Sequence, residues 1–137
     1  MENEQIKNFQ PQKEGKPLHK FGEGAFCRFK LKNVTATSGV YAWIIQGETN
    51  PIYIGETNNL KSRFNSNYGV IYAANCFKGG RMTNCKMNKV VLDTYKNGRK
   101  IDIYFHETKD YKAVEKDLLE RITTTYNVKN NKKNTEV

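Results

Sequence analysis

Two short runs of strand-forming residues, joined by a polar turn, constrain the fold of this chain more than any other feature. The first run, Val40 to Ile45, is β-branched and aromatic, and the polar stretch QGETNP separates it from the second run, Ile52 to Ile54. This pattern predicts a β-hairpin whose second strand begins just after Pro51, where a missing N–H breaks no ladder bond. If the register pairs Tyr41 with Tyr53, both tyrosines face the same side of the sheet.

The remaining chain predicts two more strands and three helices. Residues 25–31 (AFCRFKL) and 101–106 (IDIYFH) alternate in polarity, which indicates an added edge strand and a third core strand, respectively. Thr57 or Asn58 is placed to cap a first helix, and a second helix has apolar residues at helical spacing up to Tyr95 and ends at Gly98. Asp110 is placed to cap a last helix, which has one stripe formed by Glu115, Leu119, Ile122 and Tyr126. Together these elements indicate an α+β fold.

The length of 137 residues fits a single domain. Residues 1–24 are polar and have no apolar period, so we expect a flexible N-terminal arm. Residues 25–128 are the expected folded domain, and residues 129–137 a basic, disordered tail. No G-x-x-x-x-G-K loop is present, which excludes nucleotide hydrolysis by a P-loop mechanism.

The formal net charge of +9 indicates an anionic partner. Removing residues 128–137 still leaves +7 on the remaining chain, so the charge is not confined to the tail. Clustered lysines and arginines gain affinity for nucleic acid by releasing counterions from phosphates. An anionic membrane is disfavoured, because the longest apolar run, Val40 to Ile45, is too short to span a bilayer and no signal peptide opens the chain.

Three widely spaced cysteines, Cys27, Cys76 and Cys85, favour reduced thiols in a cytoplasmic protein over a disulfide framework. The alternative is a zinc site completed by His19 or His106. The sequence contains no Cys-x-x-Cys pair, the ligand spacing that is typical of structural zinc sites, so zinc is the less favoured interpretation.

The triplets Gly39-Val40-Tyr41 and Tyr53-Ile54-Gly55 resemble the signature of the GIY-YIG nucleases, with Val40 where the family usually has isoleucine. Arg63, Glu115 and Asn127 follow in the family's order and approximate spacing. The resemblance covers roughly residues 38–127 and implies a small three-stranded antiparallel sheet flanked by helices. It also implies that residues 25–128 form a metal-dependent DNA endonuclease domain.

The resemblance assigns a role to five side chains. Tyr41 would act as general base or orient the attacking water, and Tyr53 would bind that water or the phosphate. Arg63 would grip the scissile phosphate, and Glu115 would bind Mg²⁺ or Mn²⁺. Asn127 would orient the site or tie down the end of the last helix. The alternative for Glu115 is a carboxylate in the first helical turn that favours the helix dipole.

The proton-transfer residue is the main departure from the family pattern. Many members have a histidine one helical turn after the arginine, whereas this chain has Asn67, which cannot shuttle a proton near neutral pH. Either Tyr68 or Lys61 takes that role, or the mechanism depends on Tyr41 and the metal alone.

The segment GGRMTNCKMNK is a candidate DNA-contacting element, because helix amino termini bind phosphate and arginine or asparagine can read base edges. Its candidate residues are Arg81, Asn84, Lys86 and Lys89; the alternative is a surface helix with solvated charges. A compact single-domain nuclease of this kind is similar to restriction enzymes and to phage DNA-degrading nucleases. We expect a type II restriction-like enzyme, which cuts two strands as a homodimer or by sequential action. A repair or recombination nuclease, and a DNA-binding protein of this fold that has lost turnover, are the alternatives.

Overall fold

The structure is a computed structural model that describes residues 5–7 and 17–127. By its internal contacts the chain divides into two compact units, each built from two segments. The helical unit comprises Met1–Asn33 and Ser62–Gly98, and the sheet unit comprises Val34–Lys61 and Arg99–Val137. The predicted tail, 129–137, and most of the predicted arm, 1–24, lie outside the described residues, and the proposed boundaries remain predictions.

Ten elements of secondary structure follow one another along the described chain. They are β1 (Gln5–Lys7), β2 (Phe26–Arg28), β3 (Gly39–Ile45), β4 (Tyr53–Thr57), α1 (Leu60–Ser62), a π-helix (Arg63–Tyr68), α2 (Ala73–Cys76), α3 (Met82–Lys96), β5 (Ile101–Glu107) and α4 (Tyr111–Arg121). The predicted α+β fold with a three-stranded antiparallel sheet flanked by helices is confirmed. No helix among the described residues is long and apolar enough to cross a bilayer.

The sheet of the sheet unit has the strand order β4-β3-β5, with β3 in the centre. Its hairpin register differs from the one considered from sequence. Tyr41 lies opposite Gly55, and Trp43 lies opposite Tyr53. The difference is two residues, and side chains alternate between faces with a period of two, so both tyrosines remain on the same face.

Helix α4 packs on the other face of this sheet. Leu119 is buried against Val40 and Ile54, and partly buried apolar residues of the sheet and of the helix region surround this cluster, namely Ala42, Val114, Leu118 and Ile122. The predicted helical stripe was too long. Ile122 already has extended backbone angles, and the N–H of Tyr126, beyond the helix, donates to the Ile52 carbonyl.

Two predicted details near the helices need correction. Asp110 does precede α4, but its side chain makes no capping hydrogen bond. The strand predicted within residues 25–31 forms as β2, yet it pairs with β1 in a separate two-stranded sheet and does not join the edge of the three-stranded sheet.

The second predicted helix is α3, and Gly98 follows it with φ +75, the left-handed conformation that favours glycine after a helix.

Asn88 of α3 holds the helical unit together by three hydrogen bonds. Its Oδ1 accepts from the Cys27 N–H at 2.9 Å, and its Nδ2 donates to the carbonyls of Cys27 and Tyr68 at 2.9 and 2.7 Å. The side chain is fully buried. One amide therefore satisfies both backbone groups of a β2 residue and joins that strand to the end of the π-helix.

The three cysteines are free and buried. Burial raises the pKa of Cys27 to about 12. Cys76 and Cys85 share a side-chain hydrogen bond that lowers the pKa of Cys76 and raises that of Cys85. All three lie in the helical unit, where they pack as small apolar residues.

The Asn88 amide generates a stability prediction. Asn88→Ala leaves three buried backbone groups without this partner, and we expect the free energy of unfolding to fall by about 3 kcal/mol. Urea unfolding followed by circular dichroism measures the change. Asn97→Ala, at the exposed end of the same helix, is the matched control and should cost less than about 1 kcal/mol. Equal losses in the two variants would contradict the assigned role of Asn88.

Candidate active site

Tyr41 and Tyr53 lie on the same face of the hairpin, with ring centroids 6.5 Å apart and an interplanar angle of 30°. Tyr41 is only 3 % exposed, whereas Tyr53 is half-buried. A Cβ atom placed on Gly55 would overlap the ring and hydroxyl of Tyr41. The glycine of the second triplet is therefore needed because the tyrosine of the first lies across it.

Gly39 is also required by close packing. A Cβ atom there would overlap the carbonyl oxygen of His106 on β5 and would come within 3.0 Å of a methyl group of Leu60. Both glycines of the two triplets thus allow a close approach within the sheet unit, and neither has a positive φ. The tyrosines, by contrast, contribute the polar groups on this face.

Asn127 fixes β4 between the tyrosine and the glycine of its triplet. Its Oδ1 accepts from the Ile54 N–H at 2.8 Å, and its Nδ2 donates to the Ile54 carbonyl at 2.7 Å. Thr124 Oγ1 also donates to Asn127 Oδ1 at 2.6 Å. The amide acts as a neighbouring strand would along the outer edge of β4, which makes Asn127 a positioning residue.

Glu115 lies on α4, on the opposite face of the sheet from the two tyrosines. It precedes Leu119 by one helical turn, and Leu119 packs against Val40 and Ile54. Glu115 is half-buried. It is therefore not in the exposed first-turn position that a purely dipolar role would favour.

Glu56 is a carboxylate that the sequence reasoning missed. It lies opposite Val40 and two residues after Ile54, so it shares their sheet face. Its Oε2 is buried and makes no hydrogen bond to the residues that the structure describes. A buried carboxylate oxygen without a hydrogen bond is costly, and such groups point to functional sites. The available signal was a charged residue at an inward position of a core strand.

The relative direction of α4 and β4 determines where Glu56 and Glu115 lie along the contact between the helix and the strand. Thr108, just before α4, donates its N–H to Ser38 beside the start of β3, and Tyr126, after the helix, reaches Ile52 before β4. Helix α4 therefore runs antiparallel to β4. Glu115 lies one turn before Leu119, and Glu56 lies two residues after Ile54. Because α4 and β4 run in opposite directions, both carboxylates lie on the same side of the contact between Leu119 and Ile54.

Arg63 belongs to the helical unit and is 7 % exposed. Its Nη1 donates to Asn84 Oδ1 at 2.5 Å, and its guanidinium lies 3.9 Å from the centre of the Tyr68 ring. The stacking and the hydrogen bond hold the planar cation in one orientation. Its role as a phosphate ligand remains a prediction.

The π-helix changes which residue follows Arg63 by one turn. The Gly69 N–H donates to the Phe64 carbonyl, five residues back, and this wider turn brings Tyr68 under the guanidinium. Regular α-helical spacing had assigned that place to Asn67, which is half-buried. Tyr68 itself is fully buried, and Lys61, in the sheet unit, is exposed. The proton-transfer roles considered for these residues remain predictions.

The four candidate DNA-contacting residues differ in exposure. Asn84 is 1 % exposed and bound to Arg63, so its side chain is not presented for reading base edges. Lys89 donates to the carbonyl of Glu23 and lies 5.4 Å from the centre of the Phe26 ring. Arg81 is exposed at the start of α3, and Lys86 is half-buried.

Glu115 and Glu56 are carboxylates, the ligand type that Mg²⁺ and Mn²⁺ prefer. Within residues 5–7 and 17–127 no group of three or more His, Cys, Asp or Glu side chains is placed to hold a metal. Mg²⁺ retains several waters and is commonly bound by one or two carboxylates together with substrate phosphate. Glu115 and Glu56 are two such carboxylates, and metal binding by Glu115 remains a prediction.

Comparison with known proteins adds no identification, since no family model, curated protein or solved structure matches this chain.

The packing of Tyr41 over Gly55 generates a coupling prediction. Gly55→Ala should lower the free energy of unfolding by about 1–3 kcal/mol, because the new methyl group collides with the tyrosine ring. In a Tyr41→Ala background the same substitution should cost at least about 1 kcal/mol less. Urea unfolding of the four proteins of this double-mutant cycle measures the coupling. An equal cost in both backgrounds would show that the ring does not impose the glycine.

Proposed function

We propose that this chain is a divalent-metal-dependent DNA endonuclease of the GIY-YIG type. The observation that carries the proposal is the tyrosine pair, 6.5 Å apart on one sheet face, with Tyr41 lying across Gly55. This packing gives a physical reason for the order of glycine and tyrosine in the two triplets. The net charge of +9 supports DNA as the substrate.

Hydrolysis of a phosphodiester requires a water nucleophile and stabilisation of the negative charge that builds on the phosphate. Tyr53, the more exposed tyrosine, is the proposed contact to the water or the phosphate. Tyr41 is the proposed proton acceptor or water-orienting group through its hydroxyl. Asn127 holds the backbone of β4 next to Tyr53 by its two hydrogen bonds to Ile54.

Glu115 is the proposed metal ligand, and Glu56 is a second carboxylate on the face of the sheet that α4 covers, opposite the two tyrosines. When bound, Mg²⁺ or Mn²⁺ would supply charge neutralisation at the phosphate and activation of water. Arg63 is the proposed cationic contact to the phosphate. Its pairing with Asn84 and Tyr68 would limit the freedom of the guanidinium before substrate arrives.

A second function is favoured by a specific observation. Tyr41 is 3 % exposed, and Asn67 stands where the family often has histidine. Helix α4, which carries Glu115, packs on the face of the sheet opposite the two tyrosines. These features are compatible with a DNA-binding protein of this fold that has lost turnover. Among active enzymes, a type II restriction-like nuclease is our first choice and a structure-specific repair or recombination nuclease the alternative. A homodimer, or sequential action, would let one site per chain cut two strands.

The cytoplasm is the proposed location. The three buried cysteines are unpaired, and free thiols persist in reducing compartments.

Plasmid cleavage in Mg²⁺ or Mn²⁺ tests the proposed site. Glu115→Gln should lower the cleavage rate about 10²–10³-fold, because it removes the charged metal ligand while keeping the size of the side chain. Tyr53→Phe and Tyr41→Phe should each lower the rate at least about tenfold. Glu120→Gln, an exposed change on the same helix, is the control and should cut as wild type does.

The cleavage products separate the alternatives. Discrete fragments support a restriction enzyme, and nicks or structure-dependent cuts support a repair nuclease. A wild-type protein that binds DNA without cutting it supports the binding protein. If Glu115→Gln cuts as fast as wild type, the proposed site is wrong.

Glu56 generates an independent prediction, because its buried oxygen opposes folding in the absence of a ligand. Glu56→Gln should raise the Mg²⁺ concentration for half-maximal cleavage by about tenfold or more, while the unfolding free energy stays equal or rises. Glu48→Gln, in an exposed ion pair with Arg99, is the control. A loss of stability without a change in metal dependence would assign Glu56 a structural role.

A further inference from the structure

Basic residues are concentrated in one of the two units. Residues 17–33 and 62–98 of the helical unit contain ten lysines and arginines and only two acidic residues, Glu23 and Asp93. The described part of the sheet unit, 34–61 and 99–127, contains seven basic and eight acidic residues. The positive charge of the described chain therefore comes from the helical unit, whereas the proposed metal ligands belong to a unit close to neutrality.

Backbone hydrogen bonds gather several of these cations on one surface of the helical unit. The His19 N–H donates to the Cys76 carbonyl at 3.0 Å, and the Lys78 N–H donates to the Pro17 carbonyl at 2.8 Å. Residues 17–20 therefore run beside residues 76–78, which puts Lys20 and Lys78 on neighbouring segments. Both side chains are exposed.

Side-chain contacts bring the first turns of α3 to the same place. The carbonyl of Asn75 is within 2.5 Å of His19 Nε2 and accepts a hydrogen bond from Cys85 Sγ at 3.5 Å. The Phe21 N–H donates to His19 Nδ1, so Nε2 carries the proton and donates to Asn75. Arg81 follows Gly80, where a Cβ atom would overlap the Asn75 carbonyl, and Lys86 is close enough to Lys20 for the two charges to interact, so both cations join the same surface.

Lys86 and Lys20 interact unfavourably in the free protein. Burial lowers the pKa of Lys86, and the positive charge of Lys20 lowers it further. Two like charges held this close, one of them partly desolvated, oppose folding. A negatively charged partner would offset both the repulsion between the two lysines and the cost of burying the charge of Lys86.

An exposed aromatic side chain lies at the edge of these cations. Tyr72 is 57 % exposed at the start of α2, three residues before Asn75. Met82, beside Arg81, is 38 % exposed. Cations beside an exposed aromatic ring are the combination that binds single-stranded nucleic acid, because phosphates meet the charges and an unpaired base stacks on the ring.

We propose that the surface formed by Lys20, Lys78, Arg81, Lys86 and Tyr72, here called the basic surface, binds DNA that has unpaired bases. The four cations contact the backbone phosphates, and Tyr72 stacks on an unpaired base. This proposal rests on the proposed nuclease function for its choice of DNA, and it adds a binding surface separate from the residues assigned to chemistry. It favours substrates with single-stranded segments, such as flaps, ends or loops.

Binding is measured apart from cleavage by fluorescence anisotropy in EDTA, with labelled single-stranded DNA and a labelled duplex of equal length. Lys20→Glu/Lys86→Glu should weaken binding of both probes at least about tenfold. Lys20→Ala/Lys86→Ala should reduce the slope of log K against log salt by about 1.4 on the single strand, since each lost phosphate contact contributes about 0.7. Lys112→Glu/Lys116→Glu, on exposed positions of α4, is the charge-matched control and should change affinity by less than about threefold.

Two results would overturn the basic surface. One is an equal loss of affinity in the two double reversals, which would show a diffuse effect of net charge. The other is a pair of results for the Lys20/Lys86 variants: they bind DNA as the wild-type protein does, but they bind an acidic polypeptide or vesicles of anionic lipid more weakly. That outcome would assign the surface to another partner. Circular dichroism melting of each variant verifies that the compared proteins are folded.

Tyr72 provides the test of base stacking. Tyr72→Ala should lower affinity for the single strand at least about fivefold and change duplex affinity by less than twofold, and Tyr72→Phe should restore single-strand binding. Equal affinities for wild type and Tyr72→Ala would overturn the stacking role. These binding measurements need no cleavage, so they are independent of the nuclease proposal. That proposal fails in the plasmid assay if Glu115→Gln cuts as fast as the wild-type protein, or if the wild-type protein does not cut.

Discussion

The packing of Tyr41 across Gly55 is the contact on which the rest of the sheet unit depends. It requires a glycine on β4 and sets the register in which Trp43 lies opposite Tyr53. It also brings the two phenol rings to one face, which leaves Val40 and Ile54 to pack against α4 on the other. A larger residue at position 55 would collide with the Tyr41 ring, and any shift of β4 that relieved the collision would also move Ile54, which faces α4.

Three asparagine side chains in the described part of the chain supply strand-like hydrogen bonds to the backbone of another segment. Asn127 binds both backbone groups of Ile54, Asn88 binds those of Cys27, and Asn65 binds those of Leu31. Each amide has one donor and one acceptor side, so it can satisfy an N–H and a C=O of the same residue. The first of these clamps fixes the proposed active-site strand, and the other two lie within the helical unit.

Local patterns predicted the elements better than their pairing. Runs of β-branched and aromatic residues identified β3 and β4, alternation identified β5, and helical spacing with Gly98 identified α3. The pairing of β2 with β1 was missed, because β1 is a three-residue strand within a polar segment that has no apolar period. The π-helix was also missed. Regular helical spacing pointed to Asn67, whereas the wider turn brings Tyr68 beneath Arg63. The buried oxygen of Glu56 became visible only with the packing of α4.

The residues proposed for hydrolysis, Arg63 excepted, belong to the sheet unit, whereas the basic surface belongs to the helical unit. In the proposed reaction, water attacks the phosphate. Cleavage of DNA by the wild-type protein in ¹⁸O-labelled water, with Mg²⁺ present and the products analysed by mass spectrometry, measures whether it does. We expect one ¹⁸O atom in the terminal phosphate produced at each cut. DNA that stays intact, or is cut without incorporation of ¹⁸O, would contradict it.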